Sequence, residues 1–196
     1  MNGEPSCDAA QVEAIQRGDC EAFDQLVAKV QRPLLAFAWR YLQNNADAEE
    51  VVLEAFVRLH QARARLLPDT NLSAWLFTTL ANLCHNRHRW RTRHPEVGLE
   101  KPDGTEQVGM AAHDLSATPG AALEHDEASS ALRDAIDRLP HEQRIVILLH
   151  HYEQLSYREI GTIVGCSERG VETRLYRARQ QLRTDLTPFF HETLSS

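Results

Sequence analysis

"SYREIGTIVGCSERGVETRLYRARQQL", residues 156–182, decides the fold. Ser156 stands three residues before Glu159, a spacing that closes a capping box and starts a helix. Gly165 follows at the point where a helix end calls for a left-handed residue. Ser167 then caps the next helix. Two helices joined by the turn Gly165-Cys166-Ser167 have the length of a helix-turn-helix. Gly161 lies four residues before Gly165, where two helices must pass closely. Val171, Leu175, Ala178 and Leu182 fall at i, i+4, i+7 and i+11, so they pack inward. Arg169, Glu172, Thr173, Tyr176 and Arg177 are left facing outward. The first turns of such a helix enter the major groove, where side chains meet base edges and phosphates.

Working outward, the rest of the chain is helical too. Val12, Ile15, Phe23, Leu26, Val27 and Val30 recur at helical spacing, with Gly18-Asp19 separating a short helix from a longer one. "PLLAFAWRYL" continues helically, with Pro33 expected in a first turn. In "ADAEEVVLEAFVRLHQARARL" the residues Val51, Val52, Ala55, Phe56 and Leu59 form one apolar stripe, and Glu49, Glu50, Glu54 and Arg58 lie outside it. "LPDTN" reads as a loop. "LSAWLFTTLANLCHNRHRW" reads as a helix capped by Ser73, with Trp75, Leu76, Leu80 and Leu83 inward. Apolar periodicity disappears across residues 94–121, where Pro and Gly recur. No alternating strand pattern and no repeat is present. The expected fold is all-α. Two small helical domains, 9–93 and 122–187, are joined by a flexible acidic linker, 94–121.

The net charge of −7 argues against a nucleic-acid binder until its distribution is read. Residues 95–131 hold one lysine and eight acids, which accounts for the whole imbalance. Residues 70–94 carry four arginines and no acid. Charge sorted this sharply says more than the total. The 4 cysteines are far apart with no C-x-x-C pair, which fits free thiols in a reducing compartment. Cys84, His85 and His88 lie together, but a metal site needs a fourth ligand, so a packed Cys beside exposed His is expected. No apolar run approaches the roughly 18–20 residues of a membrane span. The start "MNGEPSCDAA" lacks the pattern of a secretion signal. A cytoplasmic protein without membrane insertion, metal or cofactor is expected.

"LCHNRHRWRTR" sets Arg87, Arg89, Arg91 and Arg93 beside Trp90. Arginines hold phosphate, and aromatic rings stack on unpaired bases. Four alternate arginines exceed what a helix C-terminus needs for its dipole. With these residues in view the chain resembles bacterial sigma factors of the sigma-70 family, in their extracytoplasmic-function (ECF) group. "GDCEAFDQLV" resembles the family's first helix. "DAEEVVLEAFVRL" and "AWLFTTLANLCHNRHRWR" resemble region two. "LPHEQRIVILLHHYEQLSYREIGTIVGCSERGVETRLYRARQQL" resembles region four.

The resemblance implies roles. The helix from Asp47 to Leu59 would dock on core RNA polymerase, with Asp47, Glu50, Glu54 and Phe56 at the matching positions. Asn82, Asn86, Arg89 and Arg91 would meet the minus-ten element of promoter DNA, where one base flips out of the stack. Arg169, Glu172, Thr173, Tyr176 and Arg177 would read the minus-thirty-five duplex. The acidic linker would thread toward the RNA-exit path, and an anti-sigma factor is an expected partner. Some positions depart from the family: Leu53 replaces a typical Gln, Asn86 an Asp, Gly161 an Ala and Gly170 a Thr. A glycine inside the recognition helix costs about 1 kcal/mol of helix propensity.

Two other classes compete with this reading. A stand-alone helix-turn-helix regulator would bind an operator by itself, usually as a dimer. An enzyme would need placed partners around "HEQRIVILLHH" or Cys84/His85/His88, and the sequence supplies none. His150 and His151 read as ordinary helix-end residues.

Overall fold

The computed structural model describes residues 7–94 and 119–193, with side-chain surroundings for 9–94 and 128–187. Eight α-helices occupy them: α1 (Cys7–Gln16), α2 (Cys20–Leu42), α3 (Asn45–Ala62), α4 (Leu72–Arg93), α5 (Pro119–Asp137), α6 (His141–His151), α7 (Tyr157–Val164) and α8 (Glu168–Thr193). No strand occurs among the described residues, as an all-α chain requires. Residues 95–118 of the expected linker lie outside the described residues.

Helices α2, α3 and α4 pack on one another as a bundle, with α1 laid across α2. Gly18 takes φ +83°, and Asp19 caps α2 by accepting from the amides of Glu21 and Ala22. The apolar stripe of α3 is buried as its spacing requires, and Phe56 packs edge-on against Phe23 of α2. In the second half, α8 packs against α5, α6 and α7.

Two local expectations are corrected. Pro33 sits in the middle of the 23-residue α2, not in a first turn. It removes one backbone bond from the ladder, yet Val30, Leu34 and Phe37 on either side are buried, and that packing holds the helix through it. The cap of α4 is Asn71, whose side chain accepts from Ala74 N at 2.8 Å, while Ser73 falls inside the helix. Both residue types favour caps, and Asn71 stands where the chain leaves the loop.

The two halves also meet, along a seam between α2 and α6 and between α4 and α7. Arg144 lies at its centre with only 2% exposure, its guanidinium 4.8 Å from the Tyr41 ring centroid and 2.9 Å from Asp137. The Tyr41 hydroxyl pairs with His141 Nδ1 at 2.7 Å. His85 stacks on His141 with ring centroids 3.7 Å apart, and His88 Nε2 lies 3.3 Å from Asp137. Arg40 reaches Glu153 at 3.4 Å and lies over the Tyr152 ring. Thr78 donates to the Ile163 carbonyl at 3.0 Å. Burial, with His85 and Arg144 beside it, pushes the His141 imidazole down to about 4. Burial and the neighbouring Arg89 lower His85 as well.

Candidate polymerase-docking and DNA-reading surfaces

Helices α3 and α4 run side by side and share a charged face. Asp47 lies in the first turn of α3, where the helix dipole favours a carboxylate. Its Oδ1 meets Arg87 Nη1 at 3.2 Å and its Oδ2 meets Arg91 Nη1 at 3.0 Å. Arg87 also pairs with Glu50, which raises its pKa further. Two of the four alternate arginines are thereby held by acids of the neighbouring helix. Arg89 and Arg93 are exposed, and among the described residues neither has a carboxylate within ion-pair distance.

The remaining candidate docking positions separate by depth. Glu50 is exposed, and Glu54 is half-exposed and paired with Arg58 at i, i+4. Phe56 belongs to the core and supports this face from beneath. Leu53, 65% exposed, and Val57 put an apolar pair beside the acids. Asn82 and Asn86, four apart on α4, are both exposed. Asn82 also borders a seam cleft of about 340 Å³, shared with His141, Glu142 and Thr162. Trp90 is exposed and stacks on His94.

In the second half the Ser156–Glu159 capping box is complete, and Ser156 holds the Glu159 carboxyl below its usual range. Gly165 adopts φ 67°, ψ 40°, as a left-handed helix end requires. Ser167 accepts from the Gly170 amide at 3.2 Å. Both unusual glycines face Cys166. A Cβ at position 161 would lie 2.7 Å from the Cys166 carbonyl oxygen, and one at 170 would lie 3.2 Å from its Sγ. The thiol fills the space a larger residue 170 would take. Arg169, Glu172, Thr173, Tyr176 and Arg177 are all exposed on α8, with Tyr176 at 64%. Arg174, on the same helix, is instead tied to Glu142 at 3.0 Å.

His85 and His88, expected at the surface, are engaged. Cys84 is buried and its thiol is pushed up by that burial, while His85 and His88 belong to the seam. Among the described residues no group of three His, Cys, Asp or Glu side chains could hold a metal. No described helix is long and apolar enough to cross a membrane. His151 is exposed at the end of α6, and His150 packs edge-on against Tyr157. Tyr41, Asp137, His141 and Arg144 carry no motif of their own. A signal for Arg144 did exist: it stands four residues before Leu148, on the inward stripe of α6.

Comparison with known proteins agrees with both halves. The profile described as "Sigma-70 region 2" matches residues 26–94, and "Sigma-70, region 4" matches residues 129–182. The RNA polymerase sigma-H factor of Pseudomonas aeruginosa is 31% identical over 183 residues, 92% of this chain and 94% of that protein. The ECF RNA polymerase sigma-E factor of Escherichia coli K12 is 29% identical over 184 residues, 92% of this chain and 95% of that protein. Among solved structures, CnrH in complex with the cytosolic domain of CnrY covers 92% of this chain and 97% of that one, with TM-score 0.66 and 25% identity. The sigma factor RpoE of Bartonella quintana, in complex with the anti-sigma factor NepR, covers 84% of this chain and 96% of that one, with TM-score 0.58 and 25% identity. With both regions present in order and a relative matched nearly end to end, the chain belongs to the sigma-70 family of RNA polymerase sigma factors, in the ECF group, and serves promoter-specific transcription initiation.

Proposed function

We propose that this chain binds core RNA polymerase, carries it to its promoters and helps melt the DNA there, performing no chemistry of its own. One observation carries the reading: both sigma regions match, in order, on one chain with exposed polar and basic faces on each half. A stand-alone regulator needs only the second. The working division is 9–93 for polymerase and the minus-ten element, 94–121 as tether, and 122–187 for the minus-thirty-five element. Glu50 and Glu54 form the charged part of the docking face, with Phe56 supporting it. Asn82, Asn86, Arg89 and Arg91 meet the melted strand. Arg169, Glu172, Thr173, Tyr176 and Arg177 meet the duplex. Work beside RNA polymerase places the protein in the cytoplasm. The complexes of CnrH and RpoE with CnrY and NepR support an anti-sigma partner here too.

The test is reconstitution. The purified chain added to core polymerase should yield specific transcripts, and the tagged chain should retain core subunits. Glu50→Lys with Glu54→Lys should fold and lose core affinity by roughly a hundredfold, since like charges facing one another across an interface cost several kcal/mol. Tight operator binding by the intact chain alone, with unchanged core affinity in that double variant, would favour the regulator.

A further inference from the structure

Asp47 stands among the acids of α3, yet its carboxylate does not face outward with them. Its side chain is only 17% exposed, because both oxygens are turned onto α4. One oxygen takes Arg87 and the other takes Arg91, residues four apart and so on one face of that helix. The position is fixed from behind: the Asp47 amide donates to Asn44 Oδ1 at 2.9 Å, so the carboxylate is anchored at a capped helix start. A polymerase surface could reach Asp47 only by displacing two arginines. Arg91, by contrast, keeps 38% of its side chain exposed while one Nη1 is held. Its remaining donors stay available, and a guanidinium gripped on one side presents the others in a set direction.

We infer that Asp47 is a positioning residue for the promoter-binding Arg91, aiming it at the DNA backbone while Arg87 holds the second carboxylate oxygen, and that it takes no direct part in polymerase docking. The inference rests on the sigma-factor reading of α4. It divides the acids of α3 into two groups. Glu50 and Glu54 face the partner, Glu50 also bracing Arg87. Asp47 faces inward and serves the neighbouring helix. Preorganisation of this kind raises affinity without adding a contact, because the arginine is not left to order itself on binding.

The experiment uses the full chain, with Asp47→Asn, Asp47→Glu, Arg91→Ala and the double variant Asp47→Asn/Arg91→Ala. Each is measured for core-polymerase affinity, and for affinity to a mixed-sequence single-stranded DNA oligonucleotide without polymerase, across a range of salt. Asp47→Asn should keep core affinity within twofold of the parent. It should bind the oligonucleotide several-fold more weakly, with a salt slope lower by about one unit. Asp47→Glu should recover part of that loss, which a merely destabilised helix would not show. The double variant should bind no more weakly than Arg91→Ala. Should Asp47→Asn fail to fold, Asp47→Glu set against the parent gives the same comparison: core affinity must again hold within twofold and oligonucleotide binding must weaken. A tenfold loss of core affinity in Asp47→Asn, or DNA binding equal to or tighter than the parent's, would overturn the inference. The oligonucleotide arm decides it without polymerase, so failure of the parent chain to bind core would count against the sigma-factor reading alone.

Discussion

Two clusters join charged residues distant in sequence, and they behave oppositely. On the α3–α4 face, Asp47 and Glu50 hold Arg87 and Arg91 near the surface. At the seam, His85, His141, Tyr41 and Arg144 are packed between the halves. The first cluster holds carboxylates and guanidinium groups, which do not change charge near neutrality. The second holds imidazoles that burial keeps neutral. The surface face should therefore answer to salt and ignore pH, while the seam should answer to pH and largely ignore salt. Side-chain type and burial together sort the two clusters into two sensitivities.

The largest expected effect comes from removing the centre of the seam. Arg144→Ala removes a guanidinium that is itself buried between the halves, with its packing on the Tyr41 ring, while the half-exposed Asp137 keeps His88, so stability should fall by about 2 kcal/mol. Chemical denaturation of the full chain measures this. A change below about 1 kcal/mol would mean that the seam contributes little, and the comparison would collapse.

Next comes acidification. The His141 value of about 4 in the closed seam lies below its ordinary 6.5, so the closed form binds fewer protons. Its contribution is fully present above the ordinary value and is lost as pH falls through that value toward 4. The Asp137 carboxyl of the same seam is held below its usual range by His88 and Arg144, so it stays ionised across this range. Between pH 7.5 and 5.5 the closed-to-open ratio should fall by up to about tenfold. Small-angle scattering should show a larger radius of gyration at the lower pH, and His141→Phe should remove most of that dependence. A radius unchanged across this range in the parent would refute the coupling.

A smaller effect belongs to the surface face. Arg91→Ala should weaken all promoters alike and lower the salt slope by about one unit. Its cost in stability should stay below about 1 kcal/mol, because Arg91 lies at the solvent edge of the pair and Asp47 keeps Arg87. The slope should be the same at pH 5.5 and 7.5, which separates this face from the seam.

The smallest change in overall strength, and the most specific, should come from Asn86→Ala. The exposed amide lies on the same side of α4 as Asn82, so its loss should alter which minus-ten base is preferred with little change in mean activity. Transcription across single-base promoter variants measures it, and a profile identical to the parent's would reduce Asn86 to a solvated side chain.

What the sequence determined by itself was whatever a turn or two of chain can encode. The stripes of α3 and α8, the capping box at Ser156, the left-handed Gly165 and the break at Gly18-Asp19 are local, because each rests on neighbours within about four residues. The exposed side of α8 followed from the same period. Tertiary structure decided the rest. Pro33 lies mid-helix because packing on both sides outweighs one lost hydrogen bond. Asp47 faces α4 because its Coulomb partners stand 40 and 44 residues away, beyond the reach of any periodicity. The seam joins Tyr41 to His141 across 100 residues, part of them without a pattern to follow. A histidine's neutrality is a property of the space around it, and that space exists only once both halves have packed.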